Sequence, residues 1–126
     1  MAPKIQTTAN SVESFLALAK EHKEKRIIAL FCGSSDSESG ESWCPDCVKA
    51  EPIVEKALTK AADDIVFVFC IVGDRQSWKD PNCEFRTHKD FRLTAVPTLL
   101  EWNTPKRLVE GECQKEDLVS LFFEED

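Results

Sequence analysis

Apolar positions along the chain switch between helical spacing and short continuous runs. Val12, Phe15, Leu16 and Ala19 fall three and four residues apart, as on the buried stripe of a helix. Asn10 precedes them with Glu13 three residues on, which predicts a capping box at the helix start. Ile27-Ile28-Ala29-Leu30-Phe31-Cys32 is a continuous apolar run, as expected of a strand covered on both faces. Cys47, Ala50, Val54, Ala57, Leu58 and Ala61 predict a helix from Pro45 to Ala62. Pro45 suits its first turn, and Pro52 inside it predicts a kink. The run Ile65 to Val72 is the strongest strand signal. Asp80-Pro81 predicts a short helix to about Lys89, with Phe85 turned inward. Thr98 to Trp102 and Lys106 to Glu110 read as a hairpin, and a last helix from about Gln114 buries Leu118, Leu121 and Phe122. The expected order is strand, helix, strand, helix, strand, helix, hairpin and helix, although the leading strand has no assigned segment. That is an α/β sheet flanked by helices.

At 126 residues the chain suits one domain, 1–126, which buries about two-thirds of its unfolded surface without disulfide staples. Apolar residues at 42% and charged residues at 31% are those of a soluble globular protein. No apolar run approaches the ~20 residues that span a bilayer, and the N-terminal residues lack the apolar stretch of a secretory signal. A cytoplasmic monomer away from membranes is expected. The net charge of -7, with sixteen basic residues dispersed among twenty-three acids, argues against nucleic acid as a partner.

Six cysteines in a cytosolic chain read as catalytic or metal-binding more readily than as a disulfide framework. Cys44 and Cys47 stand after a buried strand and the polar loop Gly33 to Ser42, at the start of a helix. Unpaired N–H groups there stabilise a Cys44 thiolate. Cys47, one turn deeper, can attack a mixed disulfide. Zinc uses the same spacing but needs four ligands. Cys83 and His88 form no common half-site, and Cys113 and His22 stand alone, so no metal is expected. Thr94-Ala95-Val96-Pro97-Thr98 enters a strand, where proline is permitted and can mark a cis peptide.

With that segment in view the chain resembles the thioredoxin superfamily: strand, Trp-Cys-x-x-Cys, helix and later Val-Pro-Thr follow in the family's order. Ser42-Trp43-Cys44-Pro45-Asp46-Cys47, Ala50-Glu51-Pro52, Trp78-Lys79-Asp80-Pro81-Asn82 and Thr94 to Leu100 narrow the likeness. They are similar to the thioredoxin-related proteins of about 14 kDa, the thioredoxin domain-containing protein 17 family. The resemblance covers nearly the whole chain. It implies a thioredoxin fold, with a central mixed β-sheet flanked by helices and Pro97 in cis opposite the dithiol. It implies Cys44 as nucleophile, Cys47 as resolving thiol, and Val96 and Pro97 beside Trp43 as the substrate-binding wall. It further implies no bound cofactor. Electrons would come from NADPH through thioredoxin reductase, and small disulfides such as cystine and selected protein disulfides would be the substrates. Peroxidase activity through the same thiols, or a redox-regulated adaptor role, are the alternatives.

Three departures from ordinary thioredoxin stand out. Pro45-Asp46 replaces Gly-Pro between the cysteines, so Pro45 and Asp46 are candidates for redox tuning. An Asp46 carboxylate opposes the Cys44 thiolate by about 1 kcal/mol if solvated, against about 0.3–1 in favour from the helix terminus. Leu30 stands at or next to the place of thioredoxin's buried aspartate, which suggests Asp46 for some of its proton transfer. Asp36, Glu38 and Glu41 make the loop before Trp43 acidic, a candidate rim against bulky or acidic substrates. Of the other cysteines, Cys70 and Cys32 read as core, the latter near enough to approach the site, and Cys83 and Cys113 as candidate exposed thiols. His22 and His88 read as surface residues, Trp102 as packing, and Trp78 as either groove wall or core.

Overall fold

A computed structural model describes residues 2–124. The chain opens with β1 (Ile5–Ala9), the strand whose position the hydrophobic pattern does not reveal. Gln6 and Thr8 are exposed between more buried neighbours, as on a sheet edge. Helix α1 (Val12–Glu21) starts at Ser11 rather than Asn10. Ser11 Oγ accepts from the Ser14 N–H at 3.0 Å, and Ser14 Oγ accepts from the Ser11 N–H at 3.1 Å. Ser14, not Glu13, thus completes the capping box, and the shift by one residue leaves Val12, Phe15 and Ala19 on the buried stripe.

Strand β2 (Ile27–Cys32) is buried along its whole length. Helix α2 (Pro45–Leu58) carries Pro45 in its first turn and Pro52 inside, where proline has no N–H to offer the Val48 carbonyl. Strand β3 (Val66–Ile71) is followed by α3 (Arg75–Lys79), capped by Asp74 Oδ1 at 2.8 Å from the Ser77 N–H. This helix is absent from the sequence reading. The helix expected from Asp80 shrinks to one turn, α4 (Glu84–Thr87), with Phe85 buried as anticipated. The hairpin is β4 (Thr98–Glu101) and β5 (Arg107–Val109), and a 3-10 turn (Glu110–Gln114) leads to α5 (Glu116–Phe123). Because α5 begins at Glu116, its buried face is Val119, Phe122 and Phe123. Leu121 is 62% exposed, contrary to expectation, and Leu118 is half-buried.

The sheet order is β1-β3-β2-β4-β5: the first three are parallel, while β4 runs antiparallel to β2 and β5 to β4. Alternation along β2 divides its side chains between two helical layers. Phe31 faces α1, its ring 5.6 Å from Phe15 in a cluster that includes Phe91 and Trp102. Leu30 faces α2, sharing a cavity wall with Val54 and Leu58. The C-terminal end of α5 is tied to the sheet by Arg26, which donates to the Phe122 and Phe123 carbonyls and pairs with Glu101 at 2.9 Å.

Candidate active site

Cys44 is the N-cap of α2 in extended conformation, so its side chain swings back across the first turn. Its sulfur accepts the Cys47 N–H at 3.3 Å, a first-turn donor that also reaches the Cys44 carbonyl at 3.0 Å. Ser42 fixes the approach: its Oγ accepts the Cys44 N–H at 3.2 Å and donates to the Gly33 carbonyl at 2.9 Å. Across the cleft, the Val96–Pro97 peptide is cis, and the Cys44 thiol donates to the Val96 carbonyl at 3.5 Å. Val96 and Pro97 therefore stand directly opposite the dithiol. The far side of that turn is held by the Glu110 N–H on the Pro97 carbonyl at 2.8 Å. Cys113 Sγ lies 3.7 Å from the same oxygen and 3.3 Å from the Leu108 carbonyl. Cys113 is fully buried, so it is no exposed thiol, as its polar sequence surroundings suggested.

Cys44 retains 6% exposure and Cys47 none, so an incoming disulfide meets the Cys44 sulfur first. The two thiols share their protons, and the macroscopic values belong to the pair. The first is lowered to about 7, chiefly by a hydrogen bond from the Cys32 thiol, then by those from Cys44 and the Gly33 N–H, against desolvation. The second is pushed up to about 12 by burial and by the neighbouring sulfur. A single thiolate near neutral pH is what disulfide exchange needs.

Pro45 is exposed at the mouth and Asp46 half-buried in the first turn, where its backbone N–H helps lower the Cys44 thiol. Trp43 is half-buried and clamped: its Nε1–H donates to the Gly73 carbonyl at 2.8 Å. Arg75 lies over the ring at 5.4 Å and donates to the Trp43 carbonyl at 3.2 Å. Arg75 is a site residue that sequence reasoning missed, since only the fold brings α3 to Trp43. Gly33 is another. A Cβ there would lie 2.4 Å from Trp43 Cε2, so Gly33→Ala should displace the indole, at a cost of about 1–3 kcal/mol. The expected result is a lowered melting temperature together with slower disulfide exchange; an unmoved indole fluorescence and rate would refute the contact's importance.

Elsewhere, Trp78 is core, with Arg86 stacked 4.5 Å over its ring, and Cys83, His22 and His88 are half-buried. Trp102 packs on Phe15 as expected. Among the described residues no group of three or more His, Cys, Asp or Glu is arranged to hold a metal ion, and no helix is long and apolar enough to cross a membrane.

The arrangement of the mixed sheet and its helices is that of solved thioredoxins. Thioredoxin O1 of Arabidopsis thaliana in its oxidised state superposes with a TM-score of 0.60 at 18% identity, covering 94% of this chain and 98% of that one. The reduced thioredoxin of Schistosoma mansoni gives 0.59 at 18% identity, with the same coverage. The chain has the thioredoxin fold. Residues 2–125 match the family described as thioredoxin domain-containing protein 17-like, thioredoxin domain, and the chain belongs to that family. Thioredoxin domain-containing protein 17 is 48% identical in Mus musculus and 45% in Homo sapiens, each over 126 residues and the full length of both chains. The thioredoxin-like protein Clot of Arabidopsis thaliana is 35% identical over 103 residues, 79% of this chain and 77% of that one. This is a thioredoxin-family redox protein.

Proposed function

We propose that the chain is a cytosolic disulfide reductase working through Cys44 and Cys47. The observation that carries the reading is the position of the Cys44 sulfur, between the Cys47 N–H at 3.3 Å and the Val96 carbonyl at 3.5 Å. An extended substrate lying along Val96–Pro97 brings its disulfide to that sulfur. The Cys44 thiolate attacks one substrate sulfur, the other leaves as a thiolate, and a mixed disulfide forms. Cys47 then attacks the Cys44 sulfur, releases the second substrate thiol and closes the Cys44–Cys47 disulfide. Two electrons have passed to the substrate.

The partner proposed to return them is thioredoxin reductase, drawing on NADPH, with no cofactor bound to this chain. Small disulfides such as cystine and selected protein disulfides are the proposed substrates. The loop before Trp43 supports selectivity, because Asp36, Glu38 and Glu41 are exposed on a closed turn that leads straight to the site. Pro45 and Asp46 line the first turn beside Cys44 and are proposed to tune it.

The test is NADPH consumption with thioredoxin reductase, using cystine, insulin and hydrogen peroxide as separate oxidants. Cystine should turn over faster than insulin. Turnover by peroxide alone would replace the reductase reading with a peroxidase. No turnover with any of them would favour the adaptor.

A further inference from the structure

Beside the dithiol a cleft of about 510 Å³ lies between the polar loop and α3, with Trp43 in its lining. Small-molecule sites ordinarily measure about 300–1,000 Å³. The base of the cleft is built from hydrogen bonds. The Gly73 carbonyl accepts from the Ser34 N–H at 3.0 Å and from Trp43 Nε1–H at 2.8 Å, and the Trp43 N–H donates to the Ser34 carbonyl at 3.1 Å. Both walls are thereby fixed to the residue that precedes Cys44. Asp36 lines one wall, and Asp74 and Arg75 line the other, all three open to solvent.

Each of these charges is held in place and keeps capacity to bind. Asp36 Oδ1 accepts the Glu38 N–H at 2.7 Å, and Asp74 Oδ1 accepts the Ser77 N–H at 2.8 Å. A carboxylate has about four lone-pair sites, so both have acceptor positions to spare. Arg75 gives one of its roughly five N–H donors to the Trp43 carbonyl, with its guanidinium carbon 5.4 Å from the centre of the indole. Among the described residues none of the three is in an ion pair. One fixed cation and two fixed anions that share a cleft without neutralising one another complement a ligand carrying both signs.

Resting on the dithiol reading above, we infer that this cleft is a subsite for the amino-acid head of a small disulfide. Arg75 takes the α-carboxylate, and Asp36 and Asp74 take the α-ammonium. The head sits beside Trp43 while its sulfur reaches Cys44. Inside a protein substrate the amino and carboxyl groups next to the sulfur are tied up in peptide bonds, so a protein disulfide has no such head to offer. The polar loop thus selects a zwitterion as well as excluding bulk.

The test oxidises the reduced full chain, without reductase, using four disulfides in excess. They are cystine; cystamine, which lacks the carboxylates; dithiodipropionate, which lacks the ammonium groups; and hydroxyethyl disulfide, which lacks both. Thermal melting confirms folding, and each variant is compared with wild type within one disulfide. Asp36→Asn and Asp74→Asn remove charge but keep the oxygen that caps the backbone. Arg75→Gln should slow cystine and dithiodipropionate about tenfold and leave the other two within about twofold. Each aspartate variant should slow cystine and cystamine about threefold and not slow dithiodipropionate. Arg75→Gln slowing all four alike overturns the inference, by making Arg75 only a clamp on Trp43, and so do unchanged cystine rates. S-methylcysteine, a zwitterion with no disulfide, should shift the Trp43 indole N–H resonance saturably in wild type and not in Arg75→Gln. Equal shifts in both also overturn it. No oxidation by any of the four disulfides would instead sink the dithiol reading, on which the S-methylcysteine titration does not depend.

Discussion

Cys44→Ser is expected to stop disulfide turnover, a loss on the order of a thousandfold or more, whereas Cys47→Ser should stop it one step later. With Cys44 replaced, the remaining site sulfur has no exposed surface, so a substrate disulfide cannot be attacked in line. With Cys47 replaced, Cys44 still attacks, but nothing stands behind it to resolve the product. The Cys47→Ser chain should therefore gain the mass of half a cystine, removable by dithiothreitol, while Cys44→Ser gains none. Alkylation of the reduced wild type should fall on Cys44, the one thiol of the pair with exposed surface. Adduct formation in Cys44→Ser would reverse the assignment of the two thiols.

The reduced protein should also unfold much more easily in alkali. Burial pushes the Cys70 and Cys113 thiols from the ordinary 9.0 up to about 12. An acid with a raised folded value stabilises the fold while it is neutral in both states, and that contribution drains away as pH climbs past its unfolded value. One unit above that value each thiol costs about 1.4 kcal/mol, hence about 3 kcal/mol for the two. That is a large part of a typical stability of about 5–15 kcal/mol. Cys32 and Cys44, both raised, act in the same direction, while the lowered Cys47 adds stability above about 7 and so works against them. Urea unfolding under reducing conditions, at neutral pH and near pH 10, measures the difference. Cys70→Val should remove about half of the two-thiol part. An equal midpoint at both pH values in the wild type would show that these thiols are not held neutral.

The parts of this molecule that could be read from sequence are those whose signal is local. β2 and β3 announce themselves as unbroken apolar runs, and α2 by its period and its leading proline. The dithiol is legible because three residues and a helix start suffice to bring its atoms together. β1 escaped because an edge strand with Gln6, Thr7 and Thr8 buries too little to stand out, and α3 because five residues hold no full period. The capping of α1 was misplaced by one residue, since serine at the third helical position closes the box as glutamate would. At the site, the missed contacts all join segments distant in sequence. Arg75 meets Trp43 from thirty-two residues away. Cys113 looked exposed amid Glu110, Glu112 and Gln114, yet the 3-10 turn carries it inward beneath Pro97.

The acidic loop is tied at both ends before it departs. Ser34 donates its N–H to the Gly73 carbonyl at 3.0 Å, Trp43 donates its own to the Ser34 carbonyl at 3.1 Å, and Ser35 pairs with Ser42 in an antiparallel bridge. Chain length beyond those ties is uncoupled from the thiols. Each doubling of such a loop costs only about 0.6 kcal/mol in closure entropy. Gly40 faces open space but holds a φ of +75°, which glycine alone adopts without strain, so an insertion is placed beside it and leaves it in place. The tip is thus a grafting port: a recognition peptide or a reporter sequence spliced in there would ride beside the dithiol, bringing new cargo within its reach while the chemistry stays as it was.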